Sequence, residues 1–281
     1  MTTPDVGRRR LAVLGSPIAH SKSPRLHRAA YALLGLDWSY ETAEVPSGTL
    51  AAFLDGMGPE WRGLSLTMPL KQEVLPHLAE TDRLAALAGA ANTVRVADDG
   101  RLLGFNTDIG GIIGALADAG VDRVRHGVLI GGGATAASAL VAMAELGAAE
   151  VRVHVRDAAR AAAIVELAPK LGLVVDVRPI ADLASAGEAE LVVSTVPGGT
   201  DLGVAASDAL VSTAPLLDVA YDPWPTRLAA DWLARDGRVV HGLGMLLHQA
   251  LLQVRVFVSG DPLEPLPDEQ AVLEVMRRSL D

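Results

Sequence analysis

Short apolar runs alternate along the chain with longer stretches in which apolar residues recur every three or four positions. Continuous runs rich in Val, Leu and Ile suit strands buried on both faces, and the longer period suits helices packed over them. "RLAVLG", "WSYETAEV" and "RGLSL" predict strands in the first part, with helices over "SPRLHRAAYALLG", "SGTLAAFLDGM" and "KQEVLPHL". Ser23 reads as the N-cap of the first helix and Pro24 as its first helical residue, where a missing N–H costs nothing. "RVADDGRLLG" carries the Asp-Gly signal of a hairpin, and the next helix is expected to start near Asp108 in "NTDIGGIIGALADAG".

Further on, "HGVLIGGGATAASALVAMAELG" reads as a strand, a glycine turn and an alanine-rich helix. "EVRVHVRD", "LVVDVRPI", "ELVVSTVP" and "APLLDVAYDP" supply more strands, and this spacing implies an α/β fold with a doubly wound parallel sheet. "GLGMLLHQALLQVRVFVSG" is apolar on nearly every side and reads as a buried helix, followed by the terminal helix "DEQAVLEVMRRSL". No repeat or low-complexity linker divides the chain. A change of motif near residues 106 to 108 does, and it separates residues 1–107 from 108–240, with 241–281 as closing helices.

Composition narrows the chemistry. Half of the 281 residues are apolar and only 4% aromatic, which favours helices packed closely on sheets over an aromatic binding surface. A net charge of −10 argues against a nucleic-acid partner, because phosphates need a basic face. The absence of cysteine excludes disulfides, thiolate zinc sites and thiol nucleophiles, and the seven histidines form no H-E-x-x-H pair, so no metal is expected. No apolar run is long enough to span a bilayer. "MTTPDVGRRRLAVLGSPIAHS" also lacks a signal-peptide core, so a soluble, cytoplasmic protein is expected.

The glycine turn points to a dinucleotide. Gly131, Gly133 and Ala136 form a G-x-G-x-x-A pattern between strand and helix, with Gly132, Ala134 and Thr135 beside them. Glycines there permit a tight turn and close backbone approach to a pyrophosphate at the helix N-terminus. Arg156 and Arg160 leave the next strand one helical turn apart, where NADP enzymes carry arginine for the 2′-phosphate. Asp157 between them offers the carboxylate that an NAD site would use.

Lys22, Lys71 and Lys170 are the only lysines among 24 basic residues. Arginine cannot release its proton near neutral pH and lysine can, so Lys71 in "LSLTMPLK" is a candidate acid or base for the proton that accompanies hydride transfer. Asp108, at a helix start that stabilises a carboxylate, is the candidate partner, with a capping role as the bland alternative. Ser21 and Ser23 in "GSPIAHSKSPRLH" precede a helix N-terminus and suit a small carboxylate, unless one of them simply caps the helix. His20 and His27 read as orienting or packing residues.

The motifs "GSPIAHSKSP", "LSLTMPLK", "GAANTV", "GFNTDIGG", "STVPGG", "DVAYDPWPT" and "GLGMLLHQA" follow the order of the shikimate dehydrogenase family, which the chain resembles over nearly its whole length. The resemblance implies NADPH-dependent reduction of 3-dehydroshikimate to shikimate in aromatic amino-acid biosynthesis. It implies a substrate domain built from the N-terminal part and the C-terminal helices, around a Rossmann-type NADP domain. By resemblance, Ser21 and Ser23 bind the substrate carboxylate, and Lys71 and Asp108 form the catalytic pair. Thr67, Asn92 and Gln249 hydrogen-bond the substrate, and Tyr221 lies near it. Gly131 to Thr135, Arg156 and Arg160 hold the cofactor, with Gly242 and Met245 near it.

Three stretches of the chain depart from the family pattern. Ser65 stands where asparagine is common, Arg28 where asparagine often follows the histidine, and Val155, Arg156 and Asp157 replace an asparagine-arginine-threonine run. An NAD-dependent quinate/shikimate dehydrogenase is the neighbouring alternative. A non-catalytic NADP-binding regulator is a remote one, expected to have lost Lys71 and Asp108. Either a monomer or a homodimer is compatible with the apolar helices.

Overall fold

A computed structural model describes residues 9–281, and the start of the signal-peptide reading, residues 1–8, lies outside it. The described chain forms two units. One combines the segment through Thr107 with Leu247–Asp281, and the other is Asp108–Leu246. The second division therefore falls six residues beyond the expected 241, inside a helix.

The first unit holds a mixed sheet of β1 (Arg9–Gly15), β2 (Trp38–Glu44), β3 (Trp61–Leu66), β4 (Glu80–Thr81), β5 (Thr93–Val96) and β6 (Leu102–Phe105), in the order β2-β1-β3-β5-β6-β4. β1 runs parallel to β2 and β3, whereas β5 is antiparallel to both β3 and β6. Helices α1 (Ser23–Leu33), α2 (Leu50–Asp55), α3 (Leu70–Glu73) and α4 (Arg83–Ala88) connect these strands. Ala12, Leu14, Leu64, Leu66, Leu70 and Val94 pack in one buried cluster, as the apolar runs of the sequence require.

In the second unit α5 (Asp108–Asp118) precedes β7 (His126–Ile130), α6 (Ala134–Glu145), β8 (Glu150–Val155), α7 (Ala162–Leu167) and β9 (Val174–Pro179). Then come β10 (Leu191–Ser194), α8 (Asp208–Thr213), β11 (Leu216–Asp218), α9 (Arg227–Ala234) and β12 (Val239–His241). The strands are all parallel in the order β12-β11-β10-β7-β8-β9. That is a doubly wound sheet whose order reverses between β7 and β10, the crevice where such sheets bind ligands beyond their carboxyl ends. Trp232 of α9 is fully buried among Val192, Leu210 and Leu216, and its Nε1–H donates to the Ala214 carbonyl at 3.1 Å.

Two helices close the chain, α10 (Gly242–Val258) and α11 (Glu269–Arg278). No residue of α10 is exposed, in keeping with its apolar circumference. Arg62 caps its C-terminus, donating from Nε to Phe257 O at 2.7 Å and from Nη2 to Val258 O at 3.2 Å, which also sets a cation at the negative end of the helix. Arg255 holds Glu269 through Nε at 2.7 Å and Nη2 at 2.5 Å and so ties α10 to α11. No helix of the described residues is long and apolar enough to cross a membrane.

Candidate active site

In the first unit β1 ends at Gly15, where a side chain has no room. A Cβ there would stand 2.3 Å from Thr67 Cγ2 and 2.9 Å from Met68 O. Ser16 N–H donates to that same Met68 carbonyl at 3.0 Å, which seams the two loops together. Glu44, at the end of β2, fixes the loop from the other side by accepting from Ser16 Oγ at 2.5 Å and Ile18 N–H at 3.0 Å. Ser21 and Ser23 thus reach the N-terminus of α1 on an anchored loop.

The helix starts one residue differently from the expectation. Lys22 is its N-cap, with no side-chain capping bond, Ser23 is the first helical residue, and Pro24 the second. The reason is that Lys22 already lies in the helical region, at φ −90° and ψ −4°. Ser23 is buried and its hydroxyl meets Tyr40, while Ser21 Oγ accepts only a long 3.4 Å bond from Ser23 N–H. Neither hydroxyl is consumed as a conventional cap. With the positive end of α1 beside them they make a site suited to a carboxylate.

The segment after β3 sets Thr67 and Lys71. Thr67 N–H donates to Leu14 O at 2.9 Å and Leu70 N–H to Thr67 O at 2.8 Å, a turn that leaves Lys71 as the second residue of α3. The helix expected over residues 71–78 is cut short at Glu73 and continues as a 3-10 turn over Leu75–His77, because Pro76 has no N–H to extend it. Lys71 is half-buried, and its carbonyl accepts from Ala91 N–H at 2.8 Å, one residue from Asn92.

Asn92 anchors a buried polar cluster. Its Oδ1 accepts from Thr107 N–H at 2.8 Å, Thr107 Oγ1 at 3.1 Å and Thr93 Oγ1 at 2.9 Å. A backbone N–H can only donate, so Oδ1 must face Thr107 and the amide orientation is settled. Nδ2 then donates to Thr107 Oγ1 at 2.9 Å and to Gln249 Oε1 at 3.3 Å. Gln249 accepts at this point, so its own donors, on Nε2, serve contacts other than Asn92. Asn92 and Gln249 are 1% and 6% exposed, yet lie 157 residues apart. Asp108, 4% exposed, follows Thr107 directly and opens α5.

The second unit carries the glycine turn. Gly131 has φ +118°, and a Cβ there would meet Thr195 Oγ1 at 2.4 Å. At Gly132 a Cβ would stand 2.5 Å from the Arg160 carbonyl oxygen, so this glycine lets the segment after β8 press against the turn. Gly133 differs from both. It is exposed, it N-caps α6 without a side-chain bond, and nothing lies within 4 Å of where its Cβ would be. Open space over a glycine, at the amide end of α6 with Ala134 and Thr135 in its first turn, fits a pyrophosphate.

Arg156 and Arg160 are both exposed beside this turn, whereas Asp157 accepts from Ala159 N–H at 2.9 Å and N-caps a 3-10 turn over Ala158–Ala161. One oxygen of the carboxylate that a ribose would need is engaged in local structure, and the arginines that a 2′-phosphate would need are at the surface. Gly242 is required by close approach as well, since a Cβ would lie 2.4 Å from Val219 O, next to the loop of the half-buried Tyr221. Met245 is buried on α10, one turn before Gln249.

Sequence reading had not singled out Glu44, Tyr40, Thr107 or Gln253. Thr107 lies within the "GFNTDIGG" motif, and Gln253 leaves a trace as an amide one helical turn after Gln249 in an otherwise apolar run.

A family model described as the shikimate dehydrogenase substrate binding domain matches residues 13–94. The shikimate dehydrogenase (NADP(+)) of Rubrobacter xylanophilus is 35% identical over 90% of this chain and 91% of its own. Among solved structures, Mycobacterium tuberculosis shikimate dehydrogenase matches with a TM-score of 0.83 at 40% identity, over 96% of this chain and 99% of that one. Shikimate 5-dehydrogenase from Thermus thermophilus, solved with NADP(H) and shikimate, gives 0.77 at 33% identity, over 96% and 99%. With relatives 33–40% identical over 90% or more of its length, the chain belongs to the shikimate dehydrogenase family.

Proposed function

We propose that the protein is an NADP-dependent shikimate dehydrogenase, catalysing the reversible reduction of 3-dehydroshikimate to shikimate. The observation that carries this is the buried Asn92–Gln249 amide pair, hydrogen-bonded at 3.3 Å in the unit that also holds Ser21, Ser23, Thr67 and Lys71. Buried amides with settled orientation recognise hydroxyl groups by donor and acceptor pattern, as a polyhydroxylated ring acid demands. Ser21 and Ser23, at the positive end of α1, take the carboxylate. Thr67, Asn92 and Gln249 take the ring hydroxyls, with Tyr221 near the substrate.

When bound, NADPH supplies the hydride. Gly131 to Thr135 hold its pyrophosphate, Arg156 and Arg160 its 2′-phosphate, and Gly242 and Met245 flank it. The carbonyl oxygen of the substrate gains negative charge as its carbon is reduced, and the Lys71 ammonium gives that oxygen a proton. In the reverse direction the Lys71 amine accepts the proton from the hydroxyl. Asp108 orients the ammonium through its charge. The segment through Thr107 with the C-terminal helices is the substrate domain, and Asp108–Leu246 the cofactor domain.

The test is a set of initial rates with shikimate and with quinate, each against NADP⁺ and NAD⁺. Turnover confined to shikimate with NADP⁺ is the expected result. Equal or better rates with quinate and NAD⁺ would overturn it and make Asp157 a ribose ligand.

A further inference from the structure

Behind the Asn92–Gln249 pair lies a further buried amide, Gln253, which is 2% exposed. Its Nε2 donates to the Asn92 backbone carbonyl at 3.3 Å and to Thr93 Oγ1 at 3.1 Å. A carbonyl can only accept, so the nitrogen of Gln253 must face Asn92 and the oxygen must face the other way. There Oε1 accepts from Ser65 Oγ at 2.9 Å and from His27 Nε2 at 3.1 Å.

This settles the state of His27. Nε2 carries the hydrogen, and Nδ1 accepts from the Tyr31 hydroxyl at 3.1 Å. The ring stacks on Tyr40 at 4.0 Å between centroids and 7° between planes, and Tyr40 in turn donates to Ser65 Oγ at 2.6 Å. Hydrogens therefore point one way along the series, from Tyr31 through His27, Gln253 and Thr93 into Asn92 Oδ1. Every acceptor position on Asn92 is filled from behind, so the amide of Asn92 is turned to donate through Nδ2.

Resting on the substrate reading above, we propose that Gln253 is a positioning residue of the substrate subsite: clamped by Ser65 and His27, it holds Asn92 and Thr93 and, through the Asn92 Nδ2–Gln249 Oε1 bond, sets the orientation in which the Gln249 carboxamide meets the substrate. The departure at Ser65 is one half of this arrangement. Ser65 and Thr93 are directly opposed in the antiparallel β3–β5 pair, so side chains there lie within mutual reach. A longer amide at position 65 would enter the space that the Gln253 amide fills. The short serine and the long glutamine are thus a matched pair, with the amide delivered from α10 rather than from β3.

The experiment compares four proteins, the wild type, Gln253→Ala, Ser65→Asn, and Ser65→Asn with Gln253→Ala. Shikimate and NADP⁺ saturation curves are taken well below each melting temperature. For Gln253→Ala the expected result is a KM for shikimate raised roughly 10- to 100-fold, the scale of misplacement near an ångström. Its KM for NADP⁺ should stay within about twofold of wild type. Ser65→Asn alone should fail too, through crowding. The double variant should regain a shikimate KM within about threefold of wild type, because the amide is restored from the other side. Three results overturn the inference: an unchanged shikimate KM in Gln253→Ala, parallel losses for both substrates, or a double variant no better than its parents. A wild-type protein that turns over no shikimate would instead overturn the functional reading beneath it.

Discussion

Asp157, between the exposed Arg156 and Arg160, accepts a hydrogen bond from Ala159 N–H at 2.9 Å, which commits one of its carboxylate oxygens to capping the 3-10 turn that carries Arg160. In the functional reading proposed above, cofactor choice rests on Arg156 and Arg160. Replacing both with alanine should raise the KM for NADP⁺ by about tenfold or more, the worth of a charge-assisted phosphate contact, and leave the KM for NAD⁺ nearly unchanged. Asp157→Asn should alter neither ratio appreciably, since asparagine also caps. Steady-state kinetics with both cofactors decide this, and a large swing with Asp157→Asn would return the carboxylate to the ribose.

The glycines of the turn serve different ends, and alanine variants of Gly131 and Gly133 separate two of them. Gly131→Ala meets Thr195 Oγ1 at φ +118° and should cost about 1–3 kcal/mol of stability. Gly133→Ala enters open space at an ordinary φ of −93°, so its melting temperature should hold, while its KM for NADP⁺ rises by about tenfold or more, corresponding to ~1.4 kcal/mol. Thermal unfolding paired with cofactor titration reads both. A Gly133→Ala protein that binds NADP⁺ normally would remove the pyrophosphate from α6.

Lys71 is held at the start of α3 by its own carbonyl bond to Ala91 N–H at 2.8 Å, so substituting the side chain leaves the local backbone intact. Lys71→Ala should lower kcat by about 10²- to 10⁴-fold, the usual share of general acid–base catalysis, with a modest change in shikimate KM. Lys71→Arg should fail similarly, because a guanidinium keeps its proton. An active arginine variant would reduce Lys71 to electrostatic positioning.

Much of this architecture was legible in the chain. Apolar runs such as "RLAVLG" and "GVLI" became β1 and β7, and the Asp-Gly hairpin became the antiparallel β5–β6 pair. β4 and β12, with two and three residues, are too short to carry a pattern. The glycine motif predicts a ligand turn, yet Gly132 is required by the Arg160 carbonyl and Gly242 by that of Val219, contacts that only the folded chain makes. The polar cluster was the least visible part. His27, Tyr40, Ser65, Asn92 and Gln253 come from five separate elements or their ends, and hydrogen bonds spanning up to 226 residues leave no local spacing to read.

His27 also makes a prediction for acid. Burial pushes its pKa down from 6.5 to about 3, with the Gln253 hydrogen bond opposing in part. Its contacts are the Tyr31 hydroxyl, the Gln253 amide and the rings of Tyr40 and Phe257, so the neutral imidazole is the form that the core accepts. The unfolded chain binds a proton at this residue near pH 6.5 and the folded chain does not until about 3. Stability is therefore full above pH 6.5 and declines as pH falls through that window, by roughly 2 kcal/mol at pH 5 and on the order of 5 kcal/mol in total. His27→Gln keeps an acceptor for Tyr31 and a donor for Gln253 without the titration. Denaturant unfolding at pH 5, 6 and 7 should show a shallower decline in this variant, whatever its absolute stability. Parallel pH dependence in the two proteins would mean that His27 is protonated in the fold and that the direction of hydrogens toward Asn92 is reversed at its source.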